Sequence, residues 1–376
     1  MNWYQRLGLE TSFFYDLPNF LICVLVVLIA GSLAKLPRNY KLLLLVHCCM
    51  PFFLNDFLFS ASYMGDQFRY TGAVREIRES FELTSEIGNV ANASWILAFI
   101  PLPFVETIKS LGFFNKLIFV LMFIFLYKKG VLTRFSAYFL LLYPSILLYT
   151  GLSIRDTVIF SCMMLTAYFA VKRNFLLMVL FIAPLYFIKF QNFFIMLPLF
   201  TFLLFNLGEK GLSLRKGLVI LVITFIVLII SFPVAAPLIN NLRLAMFRED
   251  GGINVGDVAL INGIGDFIYM GITSGLYFFV KPLPWEASKV LQLIQSLENI
   301  VIMIIVIKLT IHAWRKNMNK LMFWLVLFVA SLSIYGLVVF NYGTAARYRF
   351  SFIALYVVYV AYVCNITQLF NRKIKA

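Results

Sequence analysis

Residues 113–156 read FFNKLIFVLMFIFLYKKGVLTRFSAYFLLLYPSILLYTGLSIRD. The order is an apolar run, a break carrying Lys128, Lys129 and Arg134, a second apolar run, and a short turn that ends in Arg155-Asp156. A bilayer core of about 30 Å needs roughly 20 apolar residues per helix, so this stretch reads as a membrane hairpin. The same alternation extends along the chain in both directions. It predicts an all-α, polytopic integral membrane protein with about eleven spans, placed near 15–34, 42–57, 113–127, 134–150, 155–171, 174–188, 191–206, 217–238, 297–313, 321–340 and 350–369. Composition agrees: 62% of the 376 residues are hydrophobic and only 13% are charged, far from the usual soluble mixture. The dyad alternation of a membrane β-barrel is absent. The reading is one transmembrane domain over residues 1–376, with external loops at about 58–112 and 239–296.

Lysine and arginine in short loops set orientation. They gather in alternate loops: Lys35, Arg38 and Lys41; Lys128, Lys129 and Arg134; Lys172 and Arg173; Lys210, Arg215 and Lys216; Arg315, Lys316 and Lys320; and Arg372, Lys373 and Lys375. With these inside, the only acid among them is Glu209, the N-terminus is external and the C-terminus cytoplasmic. A full span at 266–280 would break the alternation, so Phe267 to Val280 is expected to be re-entrant or to lie along the interface. The net charge of +15 is therefore topological, a matter of orientation and membrane lipids, and not the basic face of a nucleic-acid-binding domain.

Two histidines, His47 and His312, are too few for a histidine-rich zinc site, a histidine-based hydrolase or a histidine-dependent acyltransferase. The five cysteines lie in or beside spans and read as small apolar packers. No metal and no cofactor is expected.

The chemistry is expected outside. In the first external segment, taken as Asn55 to Lys116, a surface helix is predicted over 67–82, with Arg75–Glu79 and Arg78–Glu82 as i,i+4 pairs. Asp66, Arg69 and Tyr70 cluster within one turn, near Asp56 at the end of the second span. Asp66 reads either as an N-cap or as a general base for a hydroxyl nucleophile. Arg155 and Asp156 stand at the lip of the fourth and fifth spans, either closing a hairpin or serving a ligand. Lys189 and Gln191 occupy the next external turn, and Arg347 and Arg349 the last. Cations that stay outside against the positive-inside bias suit an anionic lipid headgroup, since guanidinium forks match phosphate oxygens. Trp285-Glu286, after Lys281-Pro-Leu-Pro, reads as an interfacial anchor or as an aromatic–carboxylate pair for a sugar ring. The glycines at 251, 252 and 256 suggest a loop covering the site.

These motifs, Gly65-Asp66 through Tyr70, Pro144-Ser with Ile154-Arg155-Asp156, Lys281 through Glu286 with Leu297-Glu298, and Arg347-Tyr-Arg349, together resemble bacterial O-antigen and exopolysaccharide polymerases of the Wzy type. They are also similar to the wider GT-C class of polyprenyl-linked-sugar glycosyltransferases. The resemblance covers roughly residues 50–360. It implies a GT-C-like fold in the bacterial inner membrane and a lipopolysaccharide, capsule or exopolysaccharide product. Asp66 would be the catalytic acidic residue, with Asp56 competing for the role, and Arg155, Arg347 and Arg349 would hold lipid diphosphate. Arg69, Tyr70, Asp156, Lys189, Gln191, Trp285 and Glu286 would line the site. The implied partners are undecaprenyl-diphosphate-linked glycan donor and acceptor, membrane lipids and a chain-length regulator. An external N-terminus departs from the class by one helix.

Three rivals remain at this level. A transferase adding one sugar from a polyprenyl-phosphate donor fits the same residues and differs in product length. A flippase or transporter would carry ionisable groups near the midplane, whereas these crowd the external ends. A scaffold leaves the external arginines unexplained.

Overall fold

The computed structural model describes residues 7–205, 207, 211–249 and 258–369. Glu209, Lys210, Arg372, Lys373, Lys375, Gly251, Gly252 and Gly256, singled out above, lie outside the described residues. Apart from two isolated backbone bridges, the regular elements described are all helical. Phe13–Leu33, Ser110–Lys128 and Val290–Val338 are long and apolar enough to cross a membrane, and four shorter apolar helices accompany them, which fits a membrane protein. The chain divides into two compact units, Met1–Leu203 and Leu204–Ala376.

The first unit begins with α1 (Leu17–Leu33) and α2 (Arg38–Leu54), continues with the pair α3 (Asp66–Ser80) and α4 (Gly88–Ala98), and returns through α5 (Ser110–Lys128). Its core is built on α5. Of the apolar window of α5, 78% is buried, against 22% for α1, so α5 is the central post and α1 a peripheral one. The start of α5 is fixed by a buried carboxylate on α1's threshold: Asp16 accepts from Thr107 Oγ1 at 2.6 Å and Ser110 Oγ at 2.8 Å, where negative charge also suits a helix N-terminus.

The span expected at 134–150 is two helices, α6 (Arg134–Leu142) and α7 (Pro144–Tyr149). Pro144 forces the break, because the residue before a proline is driven out of the helical region, and Tyr143 takes φ −70°, ψ 112°. A capping box between Thr133 and Ser136 starts α6. Then come α8 (Asp156–Val171), α9 (Phe175–Ile188) and α10 (Phe190–Met196), the last two separated at Lys189 (φ −152°, ψ 77°). A 3-10 turn, Leu197–Phe200, leads into α11 (Thr201–Phe205).

In the second unit α12 (Leu214–Glu249) runs on through Pro233 and Pro237, eleven residues past the expected end of its span at 238. It is followed by α13 (Ile264–Val280), α14 (Val290–Val338) and α15 (Tyr342–Val363). A non-helical Asn317 divides α14 into two helices, matching the two spans expected there. The Asn317 side chain accepts from Lys320 N at 3.0 Å, capping the second half.

α13 packs against that second half through small residues: a Cβ on Gly336 would fall 2.4 Å from Ser274 O, and one on Gly275 would fall 2.9 Å from Ser333 Cα. Between helices in lipid, hydrophobic burial gives little, so such close backbone approach supplies the attraction. Gly336→Leu should therefore destabilise the second unit by at least about 1–3 kcal/mol, seen as a lower melting midpoint in detergent. Gly271→Ala, where an added Cβ meets nothing within 4 Å, should melt like the parent.

Candidate functional site

The turn between α7 and α8, residues 150–155, is irregular backbone enclosed by protein. Its polar groups are satisfied by side chains from three directions. Asn115 on α5 donates Nδ2 to Leu152 O at 2.6 Å and Ile154 O at 2.7 Å. Ser153 Oγ accepts from Gly112 N at 3.1 Å and donates to Ile108 O at 2.5 Å. Ser153 N donates to Gln67 Oε1 at 3.2 Å, and Gln67 on α3 exchanges two hydrogen bonds with Asn55 at 2.9 and 3.0 Å. The backbones meet closely here as well, since a Cβ on Gly112 would sit 2.3 Å from Gly151 O.

This pinned turn carries Arg155. Its guanidinium lies 6.0 Å from the ring of Tyr70, a residue only 1% exposed. Arg155 Nη1 is shielded from solvent and has no hydrogen-bond partner among the described residues; the same holds for Asn115 Oδ1 and Thr157 Oγ1 beside the turn. Buried polar atoms are nearly always paired, so three such atoms around one turn mark a place where a polar ligand or water fits. Asp156, buried, opens α8, and Asp66 opens α3 next to Gln67. The structure thus brings Arg155, Asp156 and Tyr70 to one place with the first turn of α3, and adds Gln67, Asn55 and Asn115, which their uncharged side chains had hidden. Gly65, not Asp66, takes the N-cap position of α3, and no side-chain capping bond forms there.

Other expected residues are engaged elsewhere. Arg69 and Tyr70 are sequence neighbours, but about 100° per residue puts them on different faces of α3. Arg69 points outward into a two-bond pair with Glu86 at 2.8 and 2.6 Å, which raises its pKa. Asp56 is exposed in a left-handed conformation (φ 69°), with Lys109 Nζ at 3.9 Å. Arg75 pairs with Glu79 at 2.8 Å as expected. Arg78 does not reach for Glu82; it donates to Ala98 O, Ile100 O and Leu102 O at 3.0, 2.5 and 2.5 Å, closing the C-terminal end of α4. Lys189 is buried at the α9–α10 break, with the half-buried Gln191 two residues on. Lys116, assigned to the external segment by sequence, is fully buried inside α5.

In the second unit Arg349 is 1% exposed and works as a helix stop. Its Nη1 donates to Phe278 O, Phe279 O and Lys281 O, and its Nη2 to Asn299 Oδ1 at 2.5 Å. Asn299 Nδ2 returns to Val280 O and Lys281 O, both at 3.0 Å, and Lys281 Nζ reaches Val339 O at 2.6 Å. The C-terminal end of α13 is therefore satisfied by two buried side chains, Arg349 and Asn299, while Lys281 satisfies the carbonyl of Val339 after α14. Glu286 accepts from Tyr277 Oη at 2.9 Å and Leu283 N at 2.8 Å, folding its own turn, while Trp285 projects at 79% exposure. Arg347 is half-buried beside the Tyr348 ring, 5.9 Å away.

A cavity of about 670 Å³ opens between α4 and α9, lined by Trp95, Ile96, Leu180, Ala183, Pro184 and Phe187. Asn92 is its polar residue and donates to Phe187 O at 3.1 Å. Among the described residues no group of three or more His, Cys, Asp or Glu side chains is placed to hold a metal ion.

The loop after α3 is tied down by Glu76, which accepts from Ser85 Oγ at 2.5 Å and from Thr84 N and Oγ1, both at 2.7 Å. These bonds, the Ser85 hydroxyl foremost, hold the Glu76 carboxyl down at about 2. A depressed carboxylate stabilises above its unfolded value and ceases to as pH falls through its folded one. Protection of the amides of residues 81–86, corrected for the intrinsic exchange rate at each pH, should be high at neutral pH and fall between pH 4.5, the ordinary glutamate value, and about 2. Glu76→Gln should exchange faster at neutral pH and lose that pH step. Compared with known proteins, the chain matches no family model, no curated protein and no solved structure.

Proposed function

We propose that this protein is a membrane glycosyltransferase that extends undecaprenyl-diphosphate-linked oligosaccharide units on the external face of the bacterial inner membrane. The carrying observation is the solvent-shielded Nη1 of Arg155, presented by a turn that Asn115, Ser153 and Gln67 hold in place, with Asn115 Oδ1 and Thr157 Oγ1 beside it likewise without a partner among the described residues. A half-buried guanidinium with one shielded, unsatisfied donor is suited to a phosphate oxygen. The residue motifs that resemble polymerases of the Wzy type supply the reaction.

In that reading the protein has eleven spans, with its N-terminus outside and C-terminus in the cytoplasm. The Asn317 break supports two spans in α14. Both ends of α13 are tied to C-terminal stretches of helices that would run outward: Ile261 N to Asn240 Oδ1 on α12, and Lys281 to Val339 after α14. That favours an α13 that stays on the external side. The apolar cavity between α4 and α9 would accept part of an isoprenoid chain.

The reaction needs no cofactor. The acceptor hydroxyl oxygen attacks the anomeric carbon of the donor, the carbon–oxygen bond to the diphosphate breaks, and the diphosphate leaves with the electron pair. Arg155 stabilises the charge that develops there, and the hydroxyl proton passes to Asp66. Tyr70 and Asp156 line the site, and Lys189 and Gln191, at the α9–α10 break, are not assigned to it. Arg69, Asp56 and Arg349 are not assigned to it, because Glu86, Lys109 and the end of α13 engage them.

Arg155→Ala and Asp66→Ala should each abolish chain extension with protein levels unchanged, read from the surface glycan ladder beside an immunoblot. Arg349→Ala should instead lower the amount of folded protein. Full-length ladders in Arg155→Ala would remove the assignment, and a product longer by one sugar rather than a ladder would select the single-sugar transferase.

A further inference from the structure

We infer that Lys116 is a positioning residue for the Arg155 turn. This rests on the reading that Arg155 meets the diphosphate; the geometry of the turn is independent of it. Lys116 is 0% exposed and lies six residues into α5, about 9 Å from Ser110 along the axis. An ionisable side chain at such depth is rare unless it is partnered and used.

Its partners are complete. Lys116 Nζ donates to Leu147 O at 2.9 Å and to Thr150 Oγ1 at 2.8 Å, and lies 3.4 Å from His47 Nδ1. His47 Nε2 is 2.9 Å from Leu141 O. A carbonyl only accepts, so Nε2 carries the ring proton and Nδ1 is left to accept from the ammonium. Thr150 Oγ1 gives its own proton to Ile146 O at 2.6 Å, leaving its lone pairs for Lys116. Three ammonium protons thus meet three acceptors.

Two of those acceptors, Leu147 and Thr150, end α7 and lead straight into the turn. The stem of Lys116 also lies along the turn itself, since a Cβ on Gly151 would be 3.2 Å from Lys116 Cε. The carbonyl of Leu147 belongs to a helix only six residues long, whose last C=O groups have no further turn to bond. Lys116 therefore joins α2, α5 and the end of α7 at one atom. Gly151 to Arg155 start from that fixed point. A methionine would fill the same space and leave a carbonyl, a hydroxyl and an imidazole without their donor.

The test is hydrogen exchange read by mass spectrometry on the purified full chain in detergent, without substrate. In Lys116→Met, amides of residues 148–155 should exchange faster by about tenfold or more, while the middles of α5 and α8 keep their protection. Thr150→Val should produce a smaller acceleration in the same peptide, and Lys116→Arg should recover part of the protection. Parental protection of 148–155 in Lys116→Met would overturn the inference. So would equal acceleration throughout α2, α5 and α8, which would make Lys116 ordinary packing. Should Lys116→Met fail to accumulate, Thr150→Val decides, and unchanged protection there overturns it. The glycan ladder of Arg155→Ala tests the diphosphate reading separately, so either idea can fail alone.

Discussion

Backbone carbonyls at helix ends, placed where water does not reach, are the constraint on which this structure turns. In hydrocarbon an unsatisfied C=O or N–H costs several kcal/mol, so irregular backbone survives only where protein side chains serve it. This chain meets the requirement with long polar side chains sent across from neighbouring helices. Asn115 serves Leu152 and Ile154; Lys116 serves Leu147; Arg78 serves the end of α4; Arg349 and Asn299 serve the end of α13; Lys281 serves Val339 at the end of α14. Each such helix end is thereby fixed in position, and so is the turn that follows.

That economy separates cations fully taken up by structural work from those that keep a shielded donor to spare, which among the described residues include Arg155 and, through its Nε, Arg243. A positive side chain outside the membrane invites the reading of an anion ligand, and sequence offers no way to see carbonyls that come from distant helices. Arg349 satisfies four acceptors at once, and Arg69 is matched by a carboxylate. Arg155 is the cation whose shielded Nη1 has no partner among the described residues, on a turn made rigid by the others. Rigid placement is what electrostatic catalysis asks of such a group, since a donor already aimed needs no reorganisation when charge develops.

Much of the fold is legible in the sequence because membrane helices announce themselves by length and apolarity. Ser110–Lys128, Asp156–Val171, Phe175–Ile188 and the second half of α14 fall within a few residues of their expected spans, and the first half of α14 starts seven residues early, at Val290. The departures have local causes. Pro144 splits one span into α6 and α7, whereas Pro233 and Pro237 fail to stop α12. The site was half visible. Arg155, Asp156, Asp66 and Tyr70 could be picked by charge and motif, while Gln67, Asn55 and Asn115 look like ordinary polar residues until their partners are known. Lys116 was misplaced because one lysine at the edge of an apolar run reads as a loop residue. Arg69 and Arg78 show the limit of reading by neighbourhood: adjacency along a helix says little about which face, or which distant carbonyl, a long side chain will find.

The central claim, that this protein extends lipid-linked glycans, is tested most directly by the lipid-linked and surface glycan profile of a strain from which its gene has been deleted. Loss of the long-chain ladder, with single repeat units accumulating on the lipid carrier and restoration by the intact gene, is the result expected. A ladder and lipid-linked pool identical to the parent's would contradict the account.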